Sequence, residues 1–67
     1  MKSRIIEAIS EQNCHLLPSI IGWCINDYDD IKETESFVIA LTELVQDGVV
    51  VYSKPVGNSK HGKYNIK

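Results

Sequence analysis

The stretch from Phe37 to Val51 constrains the fold most, because its apolar residues change from a helical spacing to a strand-like one. Before residue 48, apolar residues recur every three or four positions, as on a helix face turned towards a core: Phe37, Val38, Leu41, Leu44 and Val45. Gly48 follows, and glycine readily takes the left-handed conformation that ends many helices. Val49 to Tyr52 are β-branched and aromatic, which predicts a strand. The stretch therefore predicts a helix that leads through a glycine into a strand.

Two further helices are predicted before this stretch. Ser3 is the expected N-cap of a first helix over about residues 3–13, and Asn13 is its expected end. Pro18 suits the first turn of a second helix over about residues 17–26. Gly22 lowers the helical propensity there by about 1 kcal/mol relative to alanine, and close helix packing would explain its presence.

The start of the third helix and the end of the chain complete the layout. Asp30 followed by Glu33 matches a capping box, which predicts a third helix over about residues 31–47. Glycine, proline and asparagine between residues 54 and 62 predict a turn. Lys63 to Ile66 alternate as the return strand of a hairpin over about residues 49–66. The expected fold class is α+β, in one domain over residues 1–67.

Length and composition limit the function classes. A chain of 67 residues with 43% hydrophobic and 24% charged residues is typical of one folded, soluble domain. Glu7 interrupts the first apolar run before signal-peptide length, and no later run could span a bilayer. The two cysteines lack the dense spacing of disulfide-rich secreted domains. We expect a cytoplasmic protein with free thiols and no membrane insertion.

Charge is distributed unevenly along the chain. Residues up to Tyr52 include three basic and nine acidic side chains, whereas Ser53 to Lys67 contain four lysines and no acid. Such a separation predicts a basic contact surface at the C-terminal end. The alternative is a solvated, flexible tail.

The predicted order of three helices and a hairpin resembles the winged helix-turn-helix superfamily, which includes the MarR and ArsR classes of bacterial repressor. Its most specific element is Leu41-x-x-Leu44-Val45-x-Asp47-Gly48-Val49-Val50, which resembles the end of the recognition helix and the entry into the wing. The resemblance implies a supporting helix over residues 17–25, a recognition helix over 32–47 and a wing tip over 56–63. It further implies a small bacterial or phage DNA-binding protein that regulates transcription as a homodimer.

The residues that would contact duplex DNA lie in two groups. On the third helix, the candidates for base contacts are Lys32, Ser36, Thr42 and Gln46. In the wing, the candidates for DNA contacts are Lys54, Asn58, Lys60, His61 and Lys63, whose positive charges would contact the backbone, while Asn58 and His61 could enter a minor groove. The carboxylates of the third helix would repel phosphates, and a lysine-bearing hairpin could equally serve to block strand pairing at its edge.

The acidic third helix also supports a different function, in which the domain binds a protein rather than DNA. Trp23 and Ile39 would be apolar anchors if they formed one exposed patch, and Glu35 and Glu43 would contribute charge. Such a module could be an accessory subunit, an antitoxin or an inhibitor. Ordinary partial burial is the alternative explanation for both apolar residues.

No pattern of catalytic or metal-binding residues is present. Residues of metal-binding type occur, but without short paired spacing: Cys14, His15, Cys24 and His61. The acidic cluster at residues 27–30 lacks the glycine and the closing glutamate of a calcium loop, since Lys32 and Val38 occupy those positions. There is no nucleophile elbow or phosphate-binding loop. We therefore expect no enzyme activity, no cofactor and no metal.

Overall fold

The computed structural model describes all residues from 1 to 67 and has an α+β fold. Three helices are followed by a two-stranded antiparallel hairpin: α1 (Lys2–Ser10), α2 (Leu17–Cys24), α3 (Ile31–Gln46), β1 (Val50–Ser53) and β2 (Lys63–Ile66). The predicted α+β class is confirmed, and the order of elements is compatible with a winged-helix layout. None of the three helices has the length and apolar character needed to cross a membrane.

The core is formed by all three helices, by Ile25 directly after α2 and by Val50 of β1. It contains eleven buried apolar residues: Ile5, Ala8, Ile9, Ile20, Cys24, Ile25, Phe37, Ala40, Leu41, Leu44 and Val50. Helix α1 packs against α2, α3 and β2, while α3 packs against β1. Because full burial of one large aliphatic side chain contributes about 1.5–3 kcal/mol, these contacts are the main source of stability in so small a chain.

The predicted core face of α3 is wrong at two positions. Val38 and Val45 are 55% and 38% exposed, whereas Ala40 is buried. Phe37, Ala40 and Leu44 form a face with the 3.6-residue period, and Val38 and Val45 lie at its edge. The helix therefore carries apolar residues that the core does not cover.

Helix α1 differs from its prediction at both ends. Ser3 is its second residue and not its N-cap, because the Met1 carbonyl already accepts the N–H groups of Arg4 and Ile5. The helix ends at Ser10, and Asn13, the predicted end, lies beyond it with a left-handed φ of 54°. The intervening turn is closed by a hydrogen bond from the Gln12 N–H to a carbonyl one turn earlier.

Both ends of α3 follow from local sequence. The Asp30 side chain accepts hydrogen bonds from the N–H groups of Lys32 and Glu33, which confirms Asp30 as the N-cap. At the other end Gly48 has a φ of 77°, and the Val49 N–H donates to the Leu44 carbonyl at 3.0 Å. This is the Schellman arrangement, which allows the chain to leave the helix directly into β1.

The second half of the predicted capping box is wrong. Glu33 does not reach back to Asp30; its Oε1 accepts from the backbone N–H of Asn26 and, at 3.3 Å, from that of Asp27. The Asp30 N–H donates instead to the Asp27 carbonyl. Glu33 thus holds the loop between α2 and α3 against the first turn of α3.

The hairpin is fastened to the helices by its second strand. Val50 pairs with Ile66 and Tyr52 with Tyr64, whose rings lie 4.9 Å apart. The Tyr64 N–H also donates to the His15 carbonyl at 2.7 Å, and His15 Nδ1 donates to the Tyr64 carbonyl at 3.0 Å. His15, in the segment before α2, therefore pairs with β2 through these two hydrogen bonds, and this pairing fixes the hairpin on the helical body.

Candidate functional site

All basic side chains of the C-terminal part of the chain are exposed to solvent on or beside the hairpin. Its cationic side chains and its histidine are all exposed, and none is in an ion pair: Lys54, Lys60, His61, Lys63 and Lys67. In β2 the alternation of the strand turns Lys63 and Asn65 outward, since Tyr64 and Ile66 pack towards the core. Nothing within the molecule neutralises this positive surface.

Three of the predicted hairpin contacts lie around one concavity. Lys54, His61 and Lys63 line a cavity of about 200 Å³ between the two arms of the hairpin, together with residues such as Pro55 and Val56. Lys60 and Asn58 are exposed on the connecting loop but do not line it. The loop turns through Gly57, which has a φ of 64°. The structure therefore brings Lys54, His61 and Lys63 together, with Lys60 and Asn58 beside them on the loop.

The predicted base-contacting residues of α3 are exposed but scattered. Lys32 and Gln46 lie near opposite ends of the helix, about 21 Å apart along its axis. Ser36 and Thr42 differ by about 120° around the axis, so they do not share one narrow stripe. The middle of the outward face is occupied by Glu35 and Ile39.

Glu43, predicted as part of an acidic protein-binding face, is engaged within the molecule. Its Oε2 lies 2.7 Å from Lys2 Nζ in the one ion pair of the structure. The hydrogen bond to Glu43, followed by charge attraction, raises the pKa of Lys2. Both side chains are about half exposed, so the pair joins the start of α1 to α3 without burying charge.

Trp23 and Ile39 do not form the single patch considered from the sequence. They are 45% and 57% exposed. Ile21 lines the space between α2 and α3, and Trp23, two residues later, points about 160° away from it. Trp23 therefore lies on the side of α2 that is turned away from α3. Because Ile39 belongs to α3, the two side chains are on separate surfaces.

Sequence reasoning missed an apolar groove between α2 and α3. The groove encloses a cavity of about 370 Å³, and seven of its nine lining residues are hydrophobic: Leu17, Ile21, Ile25, Tyr28, Thr34, Phe37, Val38, Leu41 and Thr42. No separate signal for it is present in the sequence, because Leu17, Ile20, Ile21 and Cys24 have the spacing of a single apolar stripe, of which only Ile20 and Cys24 are buried. The Thr34 hydroxyl lies in this region without a hydrogen-bond partner.

The residues of metal-binding type lie in separate environments. Cys24 is buried in the core, His15 bonds to the β2 backbone and His61 is exposed on the hairpin loop. No group of three or more His, Cys, Asp or Glu side chains is placed to hold a metal ion. Burial raises the pKa of the Cys24 thiol, which keeps it protonated and unreactive. Both cysteines are free.

Comparisons with known proteins find no relative for this arrangement. No protein-family model matches the chain, and neither a curated protein nor a solved structure matches it at a significant level. Only the residues of the chain itself bear on its function.

Proposed function

We propose that the chain is a winged-helix domain that binds duplex DNA as a homodimeric transcriptional regulator, with the hairpin as its wing. The observation that carries this proposal is the exposed, unpaired set of lysines on the hairpin, in a segment without a single carboxylate. Lysines so placed neutralise phosphates and release counterions, which supplies affinity independent of base sequence. The anchoring of β2 to His15 holds Lys63 in a fixed position relative to the helices, and Lys54 and Lys60 lie in the loop that joins the two strands.

The third helix has a smaller role in this proposal. Its outward face carries Glu35 and Ile39 at its centre and only one base, Lys32. Ser36, Thr42 and Gln46 could contact base edges, but carboxylates near the groove oppose close approach. DNA binding would therefore be governed by the wing, strongly dependent on salt and modest in its sequence preference.

The test is the simultaneous change of three wing lysines to alanine: Lys54→Ala, Lys60→Ala and Lys63→Ala. Since each phosphate contact contributes about 0.9 logarithmic unit at about 0.1 M salt, the loss of three contacts should lower the affinity for a duplex by roughly 500-fold. The salt dependence of binding should become shallower by about one unit for each lysine. Fluorescence anisotropy with a labelled duplex at two salt concentrations measures both effects.

The control for this experiment removes one charge elsewhere on the molecule. Lys2→Ala takes away a lysine that already pairs with Glu43, so its effect on DNA affinity should be smaller than that of Lys60→Ala. Undiminished affinity in the triple variant would show that the hairpin is not the DNA-binding element.

A protein-binding module, such as an accessory subunit, an antitoxin or an inhibitor, is the second candidate function. It is favoured by Ile39, which is 57% exposed in the middle of the face that a DNA-binding helix would insert. The substitution Ile39→Lys separates the two functions. If α3 lies against DNA, the positive charge of the added lysine should strengthen duplex binding several-fold. If α3 faces a protein instead, the substitution should leave DNA affinity unchanged.

A further inference from the structure

The groove between α2 and α3 has the shape of a binding site for a helix. One wall is formed by Leu17, Ile21 and Ile25, which recur every four residues along about 12 Å of α2 and its C-terminal end. The opposite wall is formed by α3, with Phe37 and Leu41 at its base. A helix bound in such a groove inserts apolar side chains spaced three, four and seven residues apart. The volume of about 370 Å³ lies within the range of about 300–1,000 Å³ of ligand-binding pockets.

The apolar surface continues beyond the cavity along the edge of α3. Ile31, Val38 and Val45 recur every seven residues and are 71%, 55% and 38% exposed. Residues at this spacing share one edge of a helix, which here runs about 21 Å. Exposed apolar residues that recur along the edge of a helix beside an apolar groove are typical of a surface that contacts another protein.

Charge at the entrance of the groove selects the kind of partner. Residues 26–35, which connect α2 to α3 and form the first turn of α3, contain five carboxylates and one lysine. Tyr28 lines the groove and stands between Asp27 and Asp29. No charged residue of either sign lines the cavity itself, so these carboxylates lie beside the groove and not in it. Complementarity across an interface therefore favours a positively charged partner and disfavours an anionic one.

The acidic end of the groove is held in place before any partner binds. Glu33 accepts hydrogen bonds from the loop backbone at Asn26 and Asp27, and the Asp27 side chain accepts from the Asp29 N–H at 2.9 Å. A loop fixed in this way loses little further conformational entropy when a partner docks.

We propose that the α2–α3 groove binds an amphipathic helical segment of another protein that carries basic residues beside its apolar face. A second copy of this chain is a poorer occupant, because its own basic segment is the hairpin and not a helix. The groove is separate from the hairpin, so this inference does not depend on DNA binding. It gives the protein-binding candidate a defined surface, different from the Ile39 face.

The test uses two helical peptides of about four turns, with leucines at i, i+4 and i+7 and flanking lysines in one peptide or glutamates in the other. Amide NMR of the full chain should show the lysine peptide shifting groove residues such as Leu17, Tyr28 and Val38 while leaving Lys54 to Lys63 unchanged. Its affinity should weaken with salt and exceed that of the glutamate peptide. Equal affinity for the two peptides, or no shift in the groove, would overturn the proposal.

A matched pair of variants locates the site on α3. Val38→Asp places a carboxylate on the groove edge, whereas Ile39→Asp places it one residue further on, outside the groove and at nearly the same exposure. Val38→Asp should weaken binding of the lysine peptide on the order of tenfold, and Ile39→Asp should leave it unchanged. Equal effects would contradict the assignment of the groove.

Three further measurements test the charge preference, a second copy as the occupant and independence from the hairpin. Asp29→Lys, an exposed substitution at the rim, should weaken the lysine peptide and strengthen the glutamate peptide, with no demand on folding. Sedimentation of the chain alone tests whether a second copy occupies the groove. Self-association that is lost in Val38→Asp would show that a second copy, and not another protein, binds there. The triple lysine variant of the hairpin should bind the lysine peptide normally, so failure of DNA binding and failure of this proposal are distinguishable.

Discussion

The hairpin and the α2–α3 groove differ in charge and in the interactions that hold them. The hairpin is basic, and backbone hydrogen bonds within the ladder and to His15 fix it. The groove is apolar with an acidic rim, and it is shaped by helix packing and by the caps of α3. Because separate interactions support the two regions, a small domain can offer two surfaces of opposite charge, and each can be disturbed without the other.

Among substitutions that should disturb one region and not the other, Gly62→Ala is expected to have the largest effect on folding stability. A Cβ at this position would overlap the Ser53 carbonyl oxygen and the ring of Tyr52, so the base of the hairpin would have to open. We expect a loss of about 2–3 kcal/mol in the free energy of unfolding, measured by urea denaturation. Amide NMR should show the disturbance in β1 and β2 and not in the groove.

The matched control for Gly62→Ala is Gly57→Ala at the tip of the hairpin. There a Cβ would meet nothing, and only the positive φ of 64° opposes it, which costs about 1 kcal/mol. A similar loss from both substitutions would mean that close approach at Gly62 is unimportant.

A smaller effect is expected on the groove side from Asp30→Ala. This change removes the side chain that accepts the N–H groups of Lys32 and Glu33, and such N-caps contribute about 1 kcal/mol. Thermal or urea unfolding measures the loss. Asp29→Ala is the control, because the Asp29 side chain caps no backbone N–H and its removal should change stability by less than about 0.5 kcal/mol.

Gly22→Ala should stabilise the protein slightly. Close packing does not explain this glycine, since a Cβ would meet only the Tyr28 hydroxyl oxygen at an ordinary 3.9 Å. Alanine has the higher helical propensity, so we expect a gain of about 0.5–1 kcal/mol in urea denaturation. Destabilisation would indicate that Tyr28 must approach α2 more closely than the structure has it.

The smallest expected effect is a loss of folding stability at alkaline pH. Burial raises the pKa of Cys24 above its usual 9.0 and that of Tyr64 above its usual 10.0, with the Tyr52 charge adding to the second shift. The folded state then holds these protons more tightly than the unfolded state, so stability should fall as pH rises above about 9. Urea denaturation at neutral and alkaline pH measures the trend. Tyr64→Phe should make it shallower, and an unchanged slope would rule out this tyrosine as a source.

Features set by neighbours in sequence could be predicted, and those set by packing could not. The end of α3 at Gly48 and its N-cap at Asp30 each depend on residues within one helical turn, and the structure has both as predicted. The start of α1 could not be read from Ser3, because Met1 is also able to take the cap position. The pairing of β2 with His15 joins residues 49 positions apart, which no local pattern specifies.

The candidate sites show the same division. The exposed lysines of the hairpin follow from a charge separation visible in the sequence. The groove does not, because a helical period assigns Val38 and Val45 to the core, whereas the packing of the other elements leaves both partly exposed. The separation of Trp23 from Ile39 likewise depends on how the two helices are turned.

The most direct test of this account is an amide NMR titration of the labelled protein with a short mixed-sequence DNA duplex, at about 50 mM and then about 200 mM salt. Binding through the hairpin predicts shifts at Lys54 to Lys63 that weaken at the higher salt concentration, with smaller shifts between Lys32 and Gln46. An unchanged spectrum at both salt concentrations would contradict DNA binding and leave protein binding as the function of the domain.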